Sequence, residues 1–151
     1  MHRYAIVKLD PKDYSKCNHI WDMSKQKHTD KWYHELVDGN RIIFVAVLDG
    51  LFIADGALVL EKNDSDYTIP HTRVYLSRLN VKLEYRNQGI GGTMIDFLAD
   101  YAKELGFTEM SVGVDLDNDS AQHLYQKKGF SHILFEGRDE QGKYKKLLKT
   151  L

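Results

Sequence analysis

Apolar residues follow two different periods along this chain, and the switches between them outline its elements. In "YAIVKL" (Tyr4 to Leu9), and more densely in "RIIFVAVL" and "LFIADGALVLE", β-branched and aromatic residues cluster in short runs, which predicts strands. Asp49-Gly50 separates the last two runs, and an Asp-Gly pair in that position predicts a tight hairpin. Met94, Ile95, Leu98, Ala102 and Leu105 recur instead at helical spacing, and Gly106-Phe107 closes that helix as a glycine cap with its apolar follower. "EMSVGVDL" reads as a buried strand. A helix from Asn118 to Lys128 ends on the same stop signal, Gly129-Phe130, and "HILFEG" and "KYKKLLK" about the turn "RDEQG" predict a terminal hairpin.

Nearer the start, Asp10 as N-cap before Pro11 predicts a helix reaching about Lys25, and "TDKWYHELVDGN" a shorter one closing at Asp38-Gly39. "EKNDSDYTIPHT" predicts a polar, mobile loop. The order is strand, two helices, three strands, helix, strand, helix, two strands. That is α/β of a mixed α+β kind: a central mixed sheet of about six to seven strands flanked by about four helices.

One strand breaks its own phase. Within "RVYLSRLNVKL" the apolar positions are Val74 and Leu76, then Leu79, Val81 and Leu83, so the alternation moves from even to odd near Ser77 and Arg78. A β-bulge there would reconcile the two phases and free backbone groups for other partners; burial of both faces would also account for the pattern.

Composition narrows the class. The chain has 151 residues, which predicts one domain spanning 1–151. A formal charge of -1, with Lys and Arg dispersed, offers no basic stripe for nucleic acid. Cys17 is the only cysteine and cannot form an internal disulfide, and on an amphipathic helix it is expected to be a packing residue. The apolar run of "MHRYAIVKLDPKD" is too short for a signal peptide, and no run approaches the roughly 18 residues of a membrane helix. The expectation is a cytoplasmic protein with neither a membrane nor a nucleic-acid partner, compatible with a monomer or a homodimer.

The candidate chemistry begins at "RNQGIGGTM". A strand entering a helix through this turn presents unpaired N–H groups at the positive end of the helix dipole, and glycines let a ligand approach. That predicts an anion site, best suited to phosphate, with Arg86 as a charge-assisted donor at its edge. A P-loop would need Lys followed by Ser or Thr after its last glycine, and the chain has Thr93-Met94. The dinucleotide fingerprint is a closer rival: Gly89 and Gly91 are in register, and Asp115 ends the next strand where a ribose-binding acid would sit. Met94 stands in its third small position.

"RNQGIG" resembles the Gln/Arg-x-x-Gly-x-Gly/Ala signature of the GCN5-related N-acetyltransferases (GNAT), and "DNDSAQHLYQKKGF" resembles the helix that follows it there. The similarity runs from about Leu79 to Phe130 and extends in element order over the chain. It implies a GNAT-like fold with a bulged strand before a pyrophosphate loop, acetyl-CoA as co-substrate, no metal, and transfer of the acetyl group to a primary amine of a small molecule or peptide by direct attack. It implies cofactor contacts by Leu79, Asn80 and Val81, by Arg86, Asn87, Gln88, Gly89, Ile90, Gly91, Gly92 and Thr93, and by Asn118 and Tyr125. Tyr125 matches the family's general acid. Asn118 is equally expected as an ordinary N-cap.

A base is harder to read. Some relatives place a Glu on the strand carrying "SVGV", where this chain has Gly113. Asp55, an acid inside the apolar run "LFIADGALVL", is the catalytic alternative, since burial raises a carboxyl pKa; Asp55-Gly56 as a bulge or turn is the plainer account. Glu84 is expected to support Arg86 or its backbone. His28, His34 and His71 lack metal-ligand spacing. Trp21, Trp32 and Tyr33 are candidates to line an acceptor pocket or to sit in the core. Glu61, Asp64 and Asp66 weakly favour a cationic acceptor, with plain surface charge the simpler reading. A coenzyme A-binding sensor without transfer, and a dinucleotide-binding oxidoreductase, are the alternatives.

Overall fold

The computed structural model describes residues 3–151. Strand β1 (Ala5–Lys8) leads through a 3-10 helix (Pro11–His19) and a 3-10 turn (Met23–Lys25) to helix α1 (Thr29–Asp38). Strands β2 (Arg41–Leu48), β3 (Leu51–Val59) and β4 (Arg73–Val81) follow, then helix α2 (Ile90–Glu104), β5 (Glu109–Asp115), helix α3 (Asp119–Lys127), β6 (His132–Asp139) and β7 (Gly142–Thr150). The seven strands make one sheet in the order β1-β2-β3-β4-β5-β7-β6. Among the described residues only β4 and β5 run parallel.

Local chemistry explains most boundaries. Asp49 and Gly50 both take positive φ, 50° and 81°, which lets the β2–β3 hairpin turn in two residues. At the end of α2, Phe107 N donates to Ala102 O and Gly106 N to Lys103 O; α3 closes in the same way, Phe130 N to Tyr125 O and Gly129 N to Gln126 O. Both are Schellman caps, and both glycines are left-handed.

The first helix departs from expectation. Instead of one α-helix to Lys25, the segment is a 3-10 helix that stops at His19. Tyr14, Cys17 and Ile20 are all buried, and a spacing of three lines them along one side of a helix with three residues per turn. Asp22 then starts a new turn by accepting from Ser24 N and Ser24 Oγ at 3.0 and 2.6 Å.

Each face of the sheet buries a different cluster. Ile42, Phe44, Leu58, Leu76 and Val112 pack beneath Met94, Ile95 and Leu98 of α2, with Phe44 edge-on to Phe97 and Tyr101 at 4.9 and 4.8 Å. On the opposite face Ile43, Val45 and Ala57 pack against Leu9, Tyr14, Cys17 and Leu36. β4 therefore runs between a helical layer that carries the glycine-rich turn and one that carries the tryptophans.

Candidate active site

β4 carries the bulge. Ala57 pairs with Arg78 while Leu58 pairs with Leu76, so Ser77 is the extra residue. Val74 and Leu76 before it, and Leu79 and Val81 after it, all join the cluster under α2. Tyr75, Arg78 and Asn80 are left to the other face. Pairing with β5 covers only Arg73–Leu76 against Glu109–Val112, whereas β4 continues to Val81 and β5 stays paired with β7 as far as Asp115. The two strands part at the bulge, and the edge formed by Leu79, Asn80 and Val81 has no strand partner on its β5 side.

The turn that follows is shaped by two left-handed residues, Asn87 with φ 62° and Gly89 with φ 83°. Gly89 is the N-cap of α2 and offers no side-chain cap; the first helical bond is Thr93 N to Gly89 O, so the N–H groups of Ile90, Gly91 and Gly92 precede it. Gly91 lies inside the helix, where a Cβ would sit 3.3 Å from Leu124 Cδ2 and 3.9 Å from Leu79 Cδ2 and Val81 Cγ2. Thr93 Oγ1 returns to Gly89 O at 3.0 Å, and Gln88 Nε2 donates to Glu84 O at 3.3 Å. The exposed Arg86 donates from Nε to Val81 O at 2.9 Å, tying the turn to the end of β4. Glu84 does not support Arg86 with its carboxylate, which pairs with Lys82 at 3.7 Å instead.

From α3 come Asn118 and Tyr125. Asn118 is the N-cap, its Oδ1 accepting from Ala121 N at 3.1 Å. Tyr125 is 8% exposed and stands edge-on to Phe130 at 5.6 Å. Its hydroxyl makes no hydrogen bond among the described residues. Burial, with a smaller contribution from Tyr75, pushes its pKa up to about 12, so the phenol carries its proton at neutral pH.

Asp55 lies on the other face, in mid-strand and opposite Asn80, not in a turn. It is 5% exposed; Oδ2 accepts from Trp21 Nε1 at 2.7 Å and Oδ1 from Asn80 Nδ2 at 2.8 Å. Burial raises its pKa, while the bonds from Asn80 and Trp21 and the charge of Arg78 oppose that rise. Fully buried Cys17 lies beside it, its thiol pKa pushed up by desolvation and by Asp55. That environment makes Cys17 a packing residue.

The strongest surprise on this face is arginine. Arg78 places its guanidinium over the rings of both Trp21 and Trp32, at 4.6 and 4.5 Å, and its buried Nε has no hydrogen-bond partner among the described residues. Arg41, 4% exposed, pairs with Glu35 Oε1 at 3.2 Å and donates to Ser77 Oγ, the bulge residue, at 3.1 Å. Trp32, Arg41, Tyr75 and Arg78 all line an open cleft of about 410 Å³. Tyr33 does not line it; 38% exposed, it contacts Tyr14 instead. The clue in the sequence is an arginine at the phase break of β4.

Between β3 and β4 the polar loop is pinned down. Lys146 of β7 holds Asp64 and Asp66 at 2.9 and 3.2 Å and lies over the rings of Tyr67 and Phe135, so these acids serve an internal ion pair rather than an open acceptor surface. Ser111 Oγ donates to Tyr67 O at 2.6 Å, and Arg73 to the carbonyls of Ser65 and Asp66. Tyr67 thereby stacks on Tyr75, at 4.2 Å between ring centroids, where β4 and β5 diverge.

Among the described residues no group of three or more His, Cys, Asp and Glu side chains is placed to hold a metal, and no helix is long and apolar enough to cross a membrane. The largely antiparallel sheet is not the doubly wound, parallel architecture that a dinucleotide fingerprint requires.

Comparison with known proteins bears on the same region. The chain is 40% identical over 62 residues to the GCN5-related N-acetyltransferase 7, chloroplastic, of Arabidopsis thaliana, covering 41% of this chain and 23% of that one. It is 31% identical over 87 residues to N-alpha-acetyltransferase 30 of Schizosaccharomyces pombe, covering 58% of this chain and 55% of that one. It thus spans about half or less of the length of these two curated relatives. A GNAT family acetyltransferase from Elizabethkingia anophelis, solved with acetyl-CoA bound, shares the fold at a TM-score of 0.75 and 16% identity, covering 98% of each chain. Residues 4–130, from the first strand to the cap of α3, match the model of the acetyltransferase (GNAT) family, and the chain belongs to that family.

Proposed function

We propose that this protein transfers the acetyl group of acetyl-CoA to a primary amine of a small molecule or peptide. The observation that carries the proposal is the parting of β4 from β5 at Ser77, with β4 followed by a glycine-rich helix N-terminus that has no side-chain cap. Family membership supplies the acyl donor. In this reading the N–H groups of Ile90, Gly91 and Gly92, with Asn87, Gln88, Thr93 and Arg86 around them, take the pyrophosphate, which the helix dipole favours. The free edge of Leu79, Asn80 and Val81 takes the pantetheine arm by backbone bonds, and Asn118 keeps its Nδ2 for the same arm.

Acetyl-CoA brings an activated thioester, which an amine attacks directly: the C–N bond forms, the C–S bond breaks, and a thiolate leaves. Backbone N–H groups of the unpaired edge are suited to orient the carbonyl and receive its developing negative charge. Tyr125, protonated and with no competing hydrogen bond, supplies a proton to the departing sulfur. Both oxygens of Asp55 are engaged, so we assign it to positioning Trp21 and Asn80, and the amine's proton to water in the cleft.

The test is release of free coenzyme A thiol from acetyl-CoA over a panel of amines, alongside melting curves with acetyl-CoA, NAD and NADP. Acetyl-CoA alone should raise the melting temperature, and at least one amine should accelerate thiol release. A shift with acetyl-CoA and no transfer to any amine would make the protein a sensor; a shift with NAD or NADP instead would overturn the proposal.

A further inference from the structure

Arg78 is an unusual residue to leave unsatisfied. It forms no hydrogen bond or ion pair among the described residues, its Nε is buried without an acceptor, and the rings of Trp21 and Trp32 hold its guanidinium in place. A buried donor without a partner is costly, and an indole-clamped fork is preorganised for a planar anion. Arg41, Lys31 and Lys62 line the same cleft. Of the two carboxylates there, Glu35 is spent on Arg41 and Glu61 is exposed at the rim. Asp55 lies near Arg78 but is engaged by Trp21 and Asn80. The free charges therefore favour an anion. Burial lowers the Arg78 pKa, Asp55 raises it and the neighbouring Arg41 lowers it.

Resting on the acetyltransferase reading above, we infer that the acceptor is a small amino carboxylate, such as a free amino acid, whose carboxylate is gripped by Arg78 with Lys62 at the rim. Ser77, the bulge residue where β4 parts from β5, lines the same cleft as Arg78, so an amino carboxylate held there by Arg78 has its amine directed toward the unpaired edge proposed for the thioester. A cleft of about 410 Å³ suits an occupant of that size.

The chain contains two tryptophans, and both stack on Arg78, so intrinsic fluorescence reports this site directly. Full-length protein with coenzyme A is titrated with N-acetyl derivatives of glycine, leucine, methionine and glutamate, each against its carboxamide. At least one acid should change the emission saturably, its amide binding at least about 10-fold more weakly. Arg78→Gln should remove the selectivity and Arg78→Lys restore part of it. Lys62→Gln, at an exposed position whose hydrogen bonds to Thr68 are made by its backbone, should weaken the acid about 3-fold and the amide not at all. In transfer assays, Arg78→Gln should raise KM for amino acids about 10-fold or more and leave KM for the matching decarboxylated amines unchanged. Equal binding of acids and amides, no binding by any acid, or an unchanged affinity in both Lys62→Gln and Arg78→Gln overturns the inference. Its failure is separable from that of the acetyltransferase reading: thiol release to decarboxylated amines alone sinks this inference only, while carboxylate-selective titration without transfer sinks the other.

Discussion

The hydroxyl of Tyr67 lies 2.6 Å from the point that a Cβ on Gly113 would occupy, so the tyrosine fills the room of the missing side chain. The Glu that the family resemblance suggests for this strand position therefore has no room here unless the ring moves. Stacked on Tyr75 at 4.2 Å and covered by Lys146 at 4.9 Å, the ring is held in place.

Gly113→Ala is therefore expected to destabilise the protein by roughly 1–3 kcal/mol, the usual cost of overpacking. Tyr67→Phe deletes the offending oxygen and leaves Cζ at 3.4 Å, an ordinary contact. The double variant should recover most of the loss in denaturant melts. Simple additivity of the two changes would show that the ring and the glycine are not coupled in this way.

How much of this was legible beforehand depends on the distance over which each feature is determined. The bulge at Ser77, the Asp49-Gly50 turn and the caps at Gly106 and Gly129 are set by residues within one element or its immediate neighbour, and the chain spells them out. The 3-10 helix is not legible in the chain because a Tyr14-Cys17-Ile20 spacing of three also fits an α-helical face over so few turns. Tyr67 over Gly113, Arg78 between Trp21 and Trp32, and Lys146 on Asp64 and Asp66 join segments far apart in the chain. No local pattern announces such pairs. For the same reason Asp55 stood out as an acid in an apolar run while its partners, Trp21 and Asn80, stayed hidden.

Asp55 has a testable pH signature. Its folded pKa stands above 3.8, so the folded protein holds that proton more tightly than the unfolded chain does. Stability contributed by the protonated acid is then lost as pH rises from 3.8 through the folded value. In Asp55→Asn a turned Asn80 amide can accept from the new side-chain NH₂ while Trp21 still donates to its oxygen. The variant should lack this loss, gaining on the wild type as pH rises in denaturant midpoints. If instead the variant falls further behind as pH rises, the hydrogen bonds outweigh burial and the carboxylate is the favoured form.

At the glycine-rich turn, Gly89→Ala meets nothing within 4 Å but must adopt φ +83°. The expected cost is about 1–2 kcal/mol of stability, from the clash that a Cβ makes in the left-handed region. If the turn binds the pyrophosphate, acetyl-CoA should also raise the melting temperature of this folded variant less than that of the wild type. An undiminished shift would move the anion away from Gly89.

Tyr125→Phe isolates a single proton. The hydroxyl has no hydrogen-bond partner among the described residues, and the contact with Phe130 depends on the ring alone, so melting temperature and acetyl-CoA affinity should barely change. A positioned acid is worth about 10²- to 10⁴-fold in rate, but a thiol of pKa near 8.5 is a good leaving group, which puts the expected fall in kcat at the lower end, roughly 10- to 100-fold. With its own pKa at about 12, Tyr125 stays protonated across the assay range, so the wild-type rate should show no loss from its ionisation up to pH 9. The deficit of the variant should shrink toward that pH, where an unprotonated thiolate leaves readily. Pre-steady-state measurement keeps product release from masking the effect. Full kcat in Tyr125→Phe under those conditions, or a loss confined to acetyl-CoA affinity, would make the phenol a wall of the binding site and leave the thiolate to take its proton from water.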